Sequence, residues 1–443
     1  MIPRPWSYNL LKLKLPSAIE HYRPRFFHSH QVIMSQPNGT PSMDLNAARL
    51  NLFKSVQLDV ITPTQAADNE ASRKRISRTF TSDTLTVPTP EMQAYAIQAS
   101  IGDDVYDDST TKALEASIAR LTGKEAAIFM PSGTMSNQIG LRTHLKQPPY
   151  SVLCDHRAHI YKYEAGGTAF HSGAQVIPVI PRNRHHLTLD DVKDHVILGT
   201  DFHYAPTDVI ELENTLNGTI IPQSDIIEIS TFAHSKGIAM HLDGARIWHV
   251  AAETGLPIDE LCAPFDSVSL CFSKGLGAPV GSILVGTSAF IAQARRFRKL
   301  FGGGMRQIGP LAASAAYAVT NHIKLLPGVH ALTRRLEKGL EEIGCEITSR
   351  AETCMVFFDA TPVGVSLDEI ISRAEALPNP IQLLGSRLVV HIQTSQEAVE
   401  DLLTVIRTLA EEKRAAGFVK LEKKEEDGVY VYKDVYVRKG RNL

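Results

Sequence analysis

Apolar residues in this 443-residue chain gather into short unbroken runs more often than into alternating ones. The runs AAIFM, SVLCD, QVIPVI, DVIEL, IAMHL, SVSLCF and SILVG all fall between residues 126 and 286. Each has the length of a strand, and continuous apolar character is what a strand covered on both faces requires. Amphipathic helical stretches separate them. TKALEASIARLTG carries apolar residues at helical spacing and stops at Gly123. In SDIIEISTFAHSKG, Ile226, Ile229 and Ala233 share a face, and Gly237 sits where a left-handed cap precedes the next strand. The pattern predicts an α/β fold, a mostly parallel sheet covered by helices.

Past KLLPGVH the order changes to helix, strand CMVFFDA, helix SLDEIISRAEAL, strand RLVVHI and a long amphipathic helix from about Gln396. This reads as a smaller α+β domain. The expected organisation is an N-terminal extension over 1–75, a large domain over 76–325, a small C-terminal domain over 326–418 and a charged tail over 419–443. The alternating Val/Tyr segment around Lys433 and Asp434 suggests a terminal hairpin.

Bulk properties narrow the function classes. A formal charge of -2 gives no general field for nucleic acid or anionic lipid. No apolar run approaches the ~20 residues that span a bilayer, so no membrane helix is expected. The five cysteines, Cys154, Cys262, Cys271, Cys345 and Cys354, are scattered without a two-residue spacing; they read as buried thiols in a reducing compartment, and no metal site is expected. Residues 1–33 hold Arg4, Lys12, Lys14, Arg23 and Arg25 against the single acid Glu20. They read either as a mitochondrial presequence or as an extension upstream of Met34, an alternative start. A cytoplasmic protein is expected unless the presequence reading holds.

The chemistry gathers at three strand ends. In SVSLCFSKGLGAPVGS, Lys274 stands between an apolar run and a loop with several glycines and a proline. A lysine there is either solvated or, if buried, a candidate nucleophile. Asp243 ends the strand-like IAMHL, where α/β sheets build ligand sites; a helix cap is the bland alternative. Ser132, Gly133 and Thr134 follow AAIFM and open a helix, either as an ordinary cap or as a phosphate cradle of backbone amides. Taken together, an imine-forming lysine, an acid for a pyridinium nitrogen and a phosphate seat are what pyridoxal 5'-phosphate (PLP) requires. A dinucleotide loop is excluded, since Gly275, Gly277 and Gly281 do not fit G-x-G-x-x-G.

From about Ser82 to Ala410 the chain resembles the low-specificity L-threonine aldolases, PLP-dependent enzymes of fold type I. The resemblance is carried by SDTLT, GDDVYDD, GKEAAIFMPSGTMSN, HIYKYEAGG, LENTLNG, HLDGARI, SKGLGAPVGS and GGGMRQ. It implies that Lys274 holds the cofactor, Asp243 pairs with its ring nitrogen, and Ser132, Gly133 and Thr134 seat its phosphate. His159 would lie against the ring face and handle protons, with His203 as a second histidine near the substrate. Arg246 and Arg387, assisted by Ser82, would grip the α-carboxylate. Tyr106, on the substrate side, and Arg306, on the cofactor side, resemble residues contributed across a subunit interface, which implies a homodimer or homotetramer with shared active sites. Thr81, Val87, Asp107 and Leu216 depart from the family pattern. They leave the cofactor site intact and bear on the substrate.

The reaction this implies is retro-aldol cleavage of L-threonine, L-allo-threonine or a related β-hydroxy-α-amino acid to glycine and an aldehyde. The alternatives are an amino-acid (alanine) racemase on the same scaffold and a non-catalytic assembly subunit. The retention of Lys274, Asp243, Arg246 and Arg387 together argues against the last.

Overall fold

The computed structural model describes residues 60–419 together with Asp44 and Ala47. The presequence-like stretch 1–33 and the hairpin expected after residue 419 lie outside the described residues. The chain divides into two compact units, Met1–Pro63 and Thr64–Leu443, and the second contains both sheets. It opens with a helix, Gln65–Ile76, that buries no residue. Lacking an apolar stripe, this helix is invisible to periodicity, and the boundary expected at 75/76 falls inside it. The Arg73–Glu70 pair at 3.1 Å and a basic last turn of Arg73, Lys74 and Arg75 favour it locally.

Seven strands form the large sheet: β1 (Ala126–Met130), β2 (Ser151–Asp155), β3 (Gln175–Val179), β4 (Thr207–Glu213), β5 (Ala239–Gly244), β6 (Ser267–Cys271) and β7 (Ser282–Gly286). Their order is β1-β7-β6-β5-β4-β2-β3. Neighbours pair in parallel except at β7, which is antiparallel to both β6 and β1. The reason is chain length: residues 272–281 are too few for the crossover that parallel strands need. Since β1 and β6 both oppose β7, they point the same way. The C-terminal ends of β1, β2, β4, β5 and β6 therefore share one edge of the sheet.

Both faces of the central strands are covered. Val268, Leu270, Ile283 and Val285 are fully buried and pack in one core with Trp248, Phe265 and Phe272. All five cysteines are buried and none is in a disulfide. No helix among the described residues is long and apolar enough to cross a membrane.

The smaller lobe holds the antiparallel strands β8 (Glu346–Ser349), β9 (Met355–Asp359) and β10 (Arg387–Val389), with β9 in the middle. Helices Leu326–Ile343 and Gln396–Ala415 pack together on it. Strand β8 has only one large apolar residue, Ile347, as suits a sheet edge, and this leaves it without a pattern in the sequence. One segment assigned to the large domain belongs to this lobe instead. Thr79 bridges Gln382 in parallel, Phe80 N donates to the Gln382 carbonyl at 2.8 Å, and Val389 N donates to the Phe80 carbonyl at 2.9 Å. The Phe80 ring is fully buried with Leu388, Val390 and Ile406. This strap carries Ser82 and Asp83 to the junction between the lobes.

Phe80→Ala should therefore cost about 3–5 kcal/mol, the range for a large ring removed from a core. Urea unfolding at pH 7 measures it; a cost under about 1 kcal/mol would mean that the strap is not integrated in the small lobe.

Candidate active site

At the shared strand edge lies a cavity of about 280 Å3, lined among others by Ser132, Gly133, Thr134, Asn137, His159, Asp243 and Lys274. Its floor starts at the helix Gly133–His144, which follows β1 directly. Ser132 is the N-cap, its Oγ accepting from Met135 N at 3.2 Å. The amides of Gly133 and Thr134 precede the first intrahelical bond, from Ser136 N to the Ser132 carbonyl. A Cβ on Gly133 would lie 2.7 Å from Cys271 Sγ, so only glycine lets the helix start approach β6 this closely. Ser132 is thus a helix cap, and Ser132, Gly133 and Thr134 line the cavity.

Asp243 is the penultimate residue of β5 and is 2% exposed. Its Oδ2 accepts from Asn137 Nδ2 at 2.7 Å and its Oδ1 from Ala245 N at 3.0 Å. Lys274 stands in the β6–β7 loop, half-buried on the cavity wall. The loop turns back through Gly277 N donating to the Lys274 carbonyl at 2.8 Å, with Gly277 in the left-handed region at φ 73. Phe272 N donating to Gly281 O at 3.0 Å closes its base.

His159 begins the short helix after β2. Its backbone N–H donates to Glu213 Oε2 at 2.8 Å, and its Nδ1 lies 2.8 Å from Glu164 Oε1. A carboxylate oxygen only accepts, so Nδ1 carries the hydrogen. Burial lowers the His159 pKa, but the Glu164 bond and the charge of Asp243 outweigh it, leaving the pKa above the ordinary 6.5. Glu164 is completely buried and also accepts from Asn137 Nδ2 at 2.9 Å and Gln138 Nε2 at 2.5 Å. Burial and then the charge of Asp243 push Glu213 up to about 7.

Beside the cavity, Arg246 grips Asp83 with two parallel bonds, Nε to Oδ2 at 2.8 Å and Nη2 to Oδ1 at 2.6 Å. Arg387, on β10, donates from Nη2 to the Thr81 carbonyl at 3.2 Å. Burial, followed by the positive charge of Arg246, pulls Arg387 down to about 10. Arg246 and Arg387 thus both meet the segment that carries Thr81 and Asp83, one at the Asp83 carboxylate and the other at the Thr81 carbonyl. Ser82 caps the turn Asp83–Leu85, accepting from Thr84 N at 3.2 Å. None of Ser82, Arg246 and Arg387 lines the 280 Å3 cavity itself; Arg246 directly follows Ala245, which does.

The remaining expected residues lie elsewhere. The structure does not bring His203 to the cavity: it sits on an exposed loop, its Nδ1 2.8 Å from Asp201 Oδ1. A ring satisfied by its own loop two residues away has no cause to turn inward. Tyr106 and Arg306 are also exposed, and they share a patch, since Arg306 Nη1 donates to Asp103 Oδ2 at 3.4 Å and Tyr106 N to the Asp103 carbonyl at 3.1 Å. Asn137, Glu164 and Asp83, which sequence reasoning did not single out, are hydrogen-bonded to Asp243, His159 and Arg246. Glu164 and Asp83 lie inside HIYKYEAGG and SDTLT, and Asn137 follows Gly133 by one helical turn; that spacing is the signal that places it on the cavity face.

Residues 79–361 match the family model for beta-eliminating lyases. Over 346 residues the chain is 44% identical to the probable low-specificity L-threonine aldolase of Schizosaccharomyces pombe, covering 77% of this chain and 90% of that one. It is 34% identical over 370 residues to an alanine racemase of Cochliobolus carbonum, covering 81% of this chain and 95% of that one. Among solved structures, a threonine aldolase of Leishmania major superposes with a TM-score of 0.65 at 18% identity, over 75% of this chain and 99% of that one. The fold is that of the PLP-dependent fold type I enzymes.

The Asp83–Arg246 pair yields a pH-resolved prediction. Burial raises the Asp83 pKa, but Arg246 overrides it and holds the carboxyl far below its usual 3.8. Its contribution to stability is then complete above the unfolded value of 3.8 and is lost as pH falls below it toward the depressed native value. Asp83→Asn should cost about 3–5 kcal/mol at pH 7 and clearly less at pH 3. Denaturant unfolding at both pH values measures this, and an equal cost at both would contradict the pairing.

Proposed function

Because this chain belongs to the beta-eliminating lyase family, in its low-specificity L-threonine aldolase group, we propose that it uses PLP to cleave L-threonine, L-allo-threonine or a related β-hydroxy-α-amino acid to glycine and an aldehyde. The observation that carries this is the meeting of Lys274, Asp243, His159 and the start of helix Gly133–His144 in one cavity. The donor set fits the cofactor group by group. An amine faces the cavity for its aldehyde, a buried carboxylate for its ring nitrogen, and two unpaired helix amides for its phosphate. The glycine at the phosphate end cannot carry a side chain without striking Cys271.

When bound, PLP supplies an electron sink conjugated to the α-carbon of the amino acid. The protein's own residues decide which bond is broken. Arg387 would take the α-carboxylate at the lobe junction, with Ser82 beside it. Arg246, already committed to Asp83 through Nε and Nη2, retains Nη1 for the same carboxylate. A fixed carboxylate fixes the rotation about the α-carbon and so the bond presented to the sink. His159 holds its hydrogen on Nδ1 toward Glu164, so proton exchange with the β-hydroxyl passes through Nε2. Its raised pKa suits it both to receive that proton and to return one. Lys274 Nζ would be the group that holds the cofactor.

A second reading, racemisation, is favoured by the resemblance to an alanine racemase. It would use His159 and Lys274 as proton carriers on opposite sides of the α-carbon. Tyr106 and Arg306 are then the residues one subunit would lend to another's cavity, a proposal that a fully active monomer in sedimentation analysis would refute.

Purified protein supplied with PLP should release acetaldehyde and glycine in equal amounts from L-threonine and form no D-alanine from L-alanine. D-alanine without aldehyde would replace the aldolase reading with the racemase one.

A further inference from the structure

Asp243 is held from behind by a line of hydrogen bonds whose direction the structure determines. Asn137 Nδ2 lies 2.7 Å from Asp243 Oδ2 and 2.9 Å from Glu164 Oε1. Two carboxylates can only be met by the amide's NH2 group, so its oxygen faces away, 3.3 Å from His241 Nε2. An amide oxygen only accepts, which puts a hydrogen on His241 Nε2. His241 is fully buried, and burial followed by the nearby His144 pulls its pKa down to about 3. The ring is neutral, and its Nδ1 accepts. Ser267 Oγ, 2.8 Å from that Nδ1, therefore donates to it. Its one hydrogen is then used, so at 2.7 Å it accepts from His144 Nε2. Burial lowers His144 to about 4, which leaves it neutral as well.

Every hydrogen in the line thus points one way: His144 to Ser267, Ser267 to His241, His241 to Asn137, Asn137 to Asp243. The backbone is arranged for it. Asn137 and His144 lie two turns apart on one helix, and His241 and Ser267 are direct partners across β5 and β6. Between them, Gly140 leaves room: a Cβ there would stand 2.7 Å from His241 Cε1.

We propose that His241 is a positioning residue for the cofactor: by donating to the Asn137 oxygen it locks that amide so that its NH2 serves Asp243 and Glu164 together. One lock then sets both the contact with the ring nitrogen and, through Glu164, the orientation of His159. The inference rests on the PLP reading of the cavity. Without the His241 donor, Asn137 has a buried, unmatched oxygen, and turning the amide to relieve it would aim that oxygen at two carboxylates.

The test measures PLP affinity by fluorescence quenching in variants whose fold is checked by circular dichroism and thermal unfolding. His241→Phe should weaken PLP binding about tenfold or more, because the buried Asn137 oxygen loses its donor and the amide that serves Asp243 is no longer held. His241→Gln, which keeps an N–H for Asn137, should recover most of it. In an Asn137→Ala background, His241→Phe should have less than about a twofold further effect, since the residue acts through that amide. If His241→Phe does not fold, Ser267→Ala, which removes one buried hydroxyl, should weaken binding about threefold. Wild-type affinity in the folded His241→Phe or Ser267→Ala protein, or additivity with Asn137→Ala, would overturn the proposal while leaving the cofactor reading standing. A wild-type protein that takes up no PLP would sink both.

Discussion

The Asn137 amide, donating at once to Asp243 and Glu164, is the contact on which the site depends. The carboxylates of Glu164, Glu211 and Asp243 are buried near the same strand ends, with the half-buried Glu213 beside them. Uncompensated charge away from water is costly, and neighbouring like charges increase the cost. The fold treats Asp243 and Glu164 differently from Glu211. Asp243 and Glu164 receive donors from Asn137, Gln138, His159 and the Ala245 amide. Glu211 finds no hydrogen-bond partner; burial, then Glu213 and Asp243, raise its pKa well above the ordinary value. Asp243, held by its donors, lines the cavity, while Glu211 lies on β4 within the sheet.

The second constraint lies between the lobes. Asp83 reaches Arg246 only because residues 79–81 are laid onto the small-lobe sheet, with Phe80 as the anchor. That strap also supplies the carbonyl of Thr81 to Arg387. The proposed carboxylate site would therefore be built from a large-lobe helix start, a small-lobe strand and a strap between them. Any shift of one lobe against the other changes the spacing of the two guanidinium groups, while the 280 Å3 cavity, built wholly on the large sheet, is unaffected.

Much of this was legible in the sequence for a physical reason. Strands covered on both faces must be largely apolar, so the inner strands of the large sheet appear as near-continuous runs, and the edge strand β3 shows as QVIPVI although Gln175 is exposed. The groups meeting in the cavity, Lys274, Asp243, His159 and Ser132 to Thr134, stand at strand ends, which the runs locate. Strand direction was not legible: nothing in SILVG distinguishes an antiparallel strand, and only the shortness of 272–281 does. Helix Gln65–Ile76 and strand β8 were hidden because neither has an apolar stripe. Asn137 was missed because an asparagine on a helix carries no mark of burial, and Asp83 because its partner lies 163 positions away. His203 differs from these: its place in the chain suggests the site, and in the single chain its ring lies at the surface beside Asp201.

The central claim is that the strand-end cavity is a PLP site with Lys274 as its attachment point. Incubation of the full chain with PLP, borohydride reduction, proteolysis and mass spectrometry of the modified peptides tests it most directly. The account predicts one pyridoxyl group per chain, on Lys274. A label on a different single lysine, or one spread over many lysines with none favoured, would contradict it.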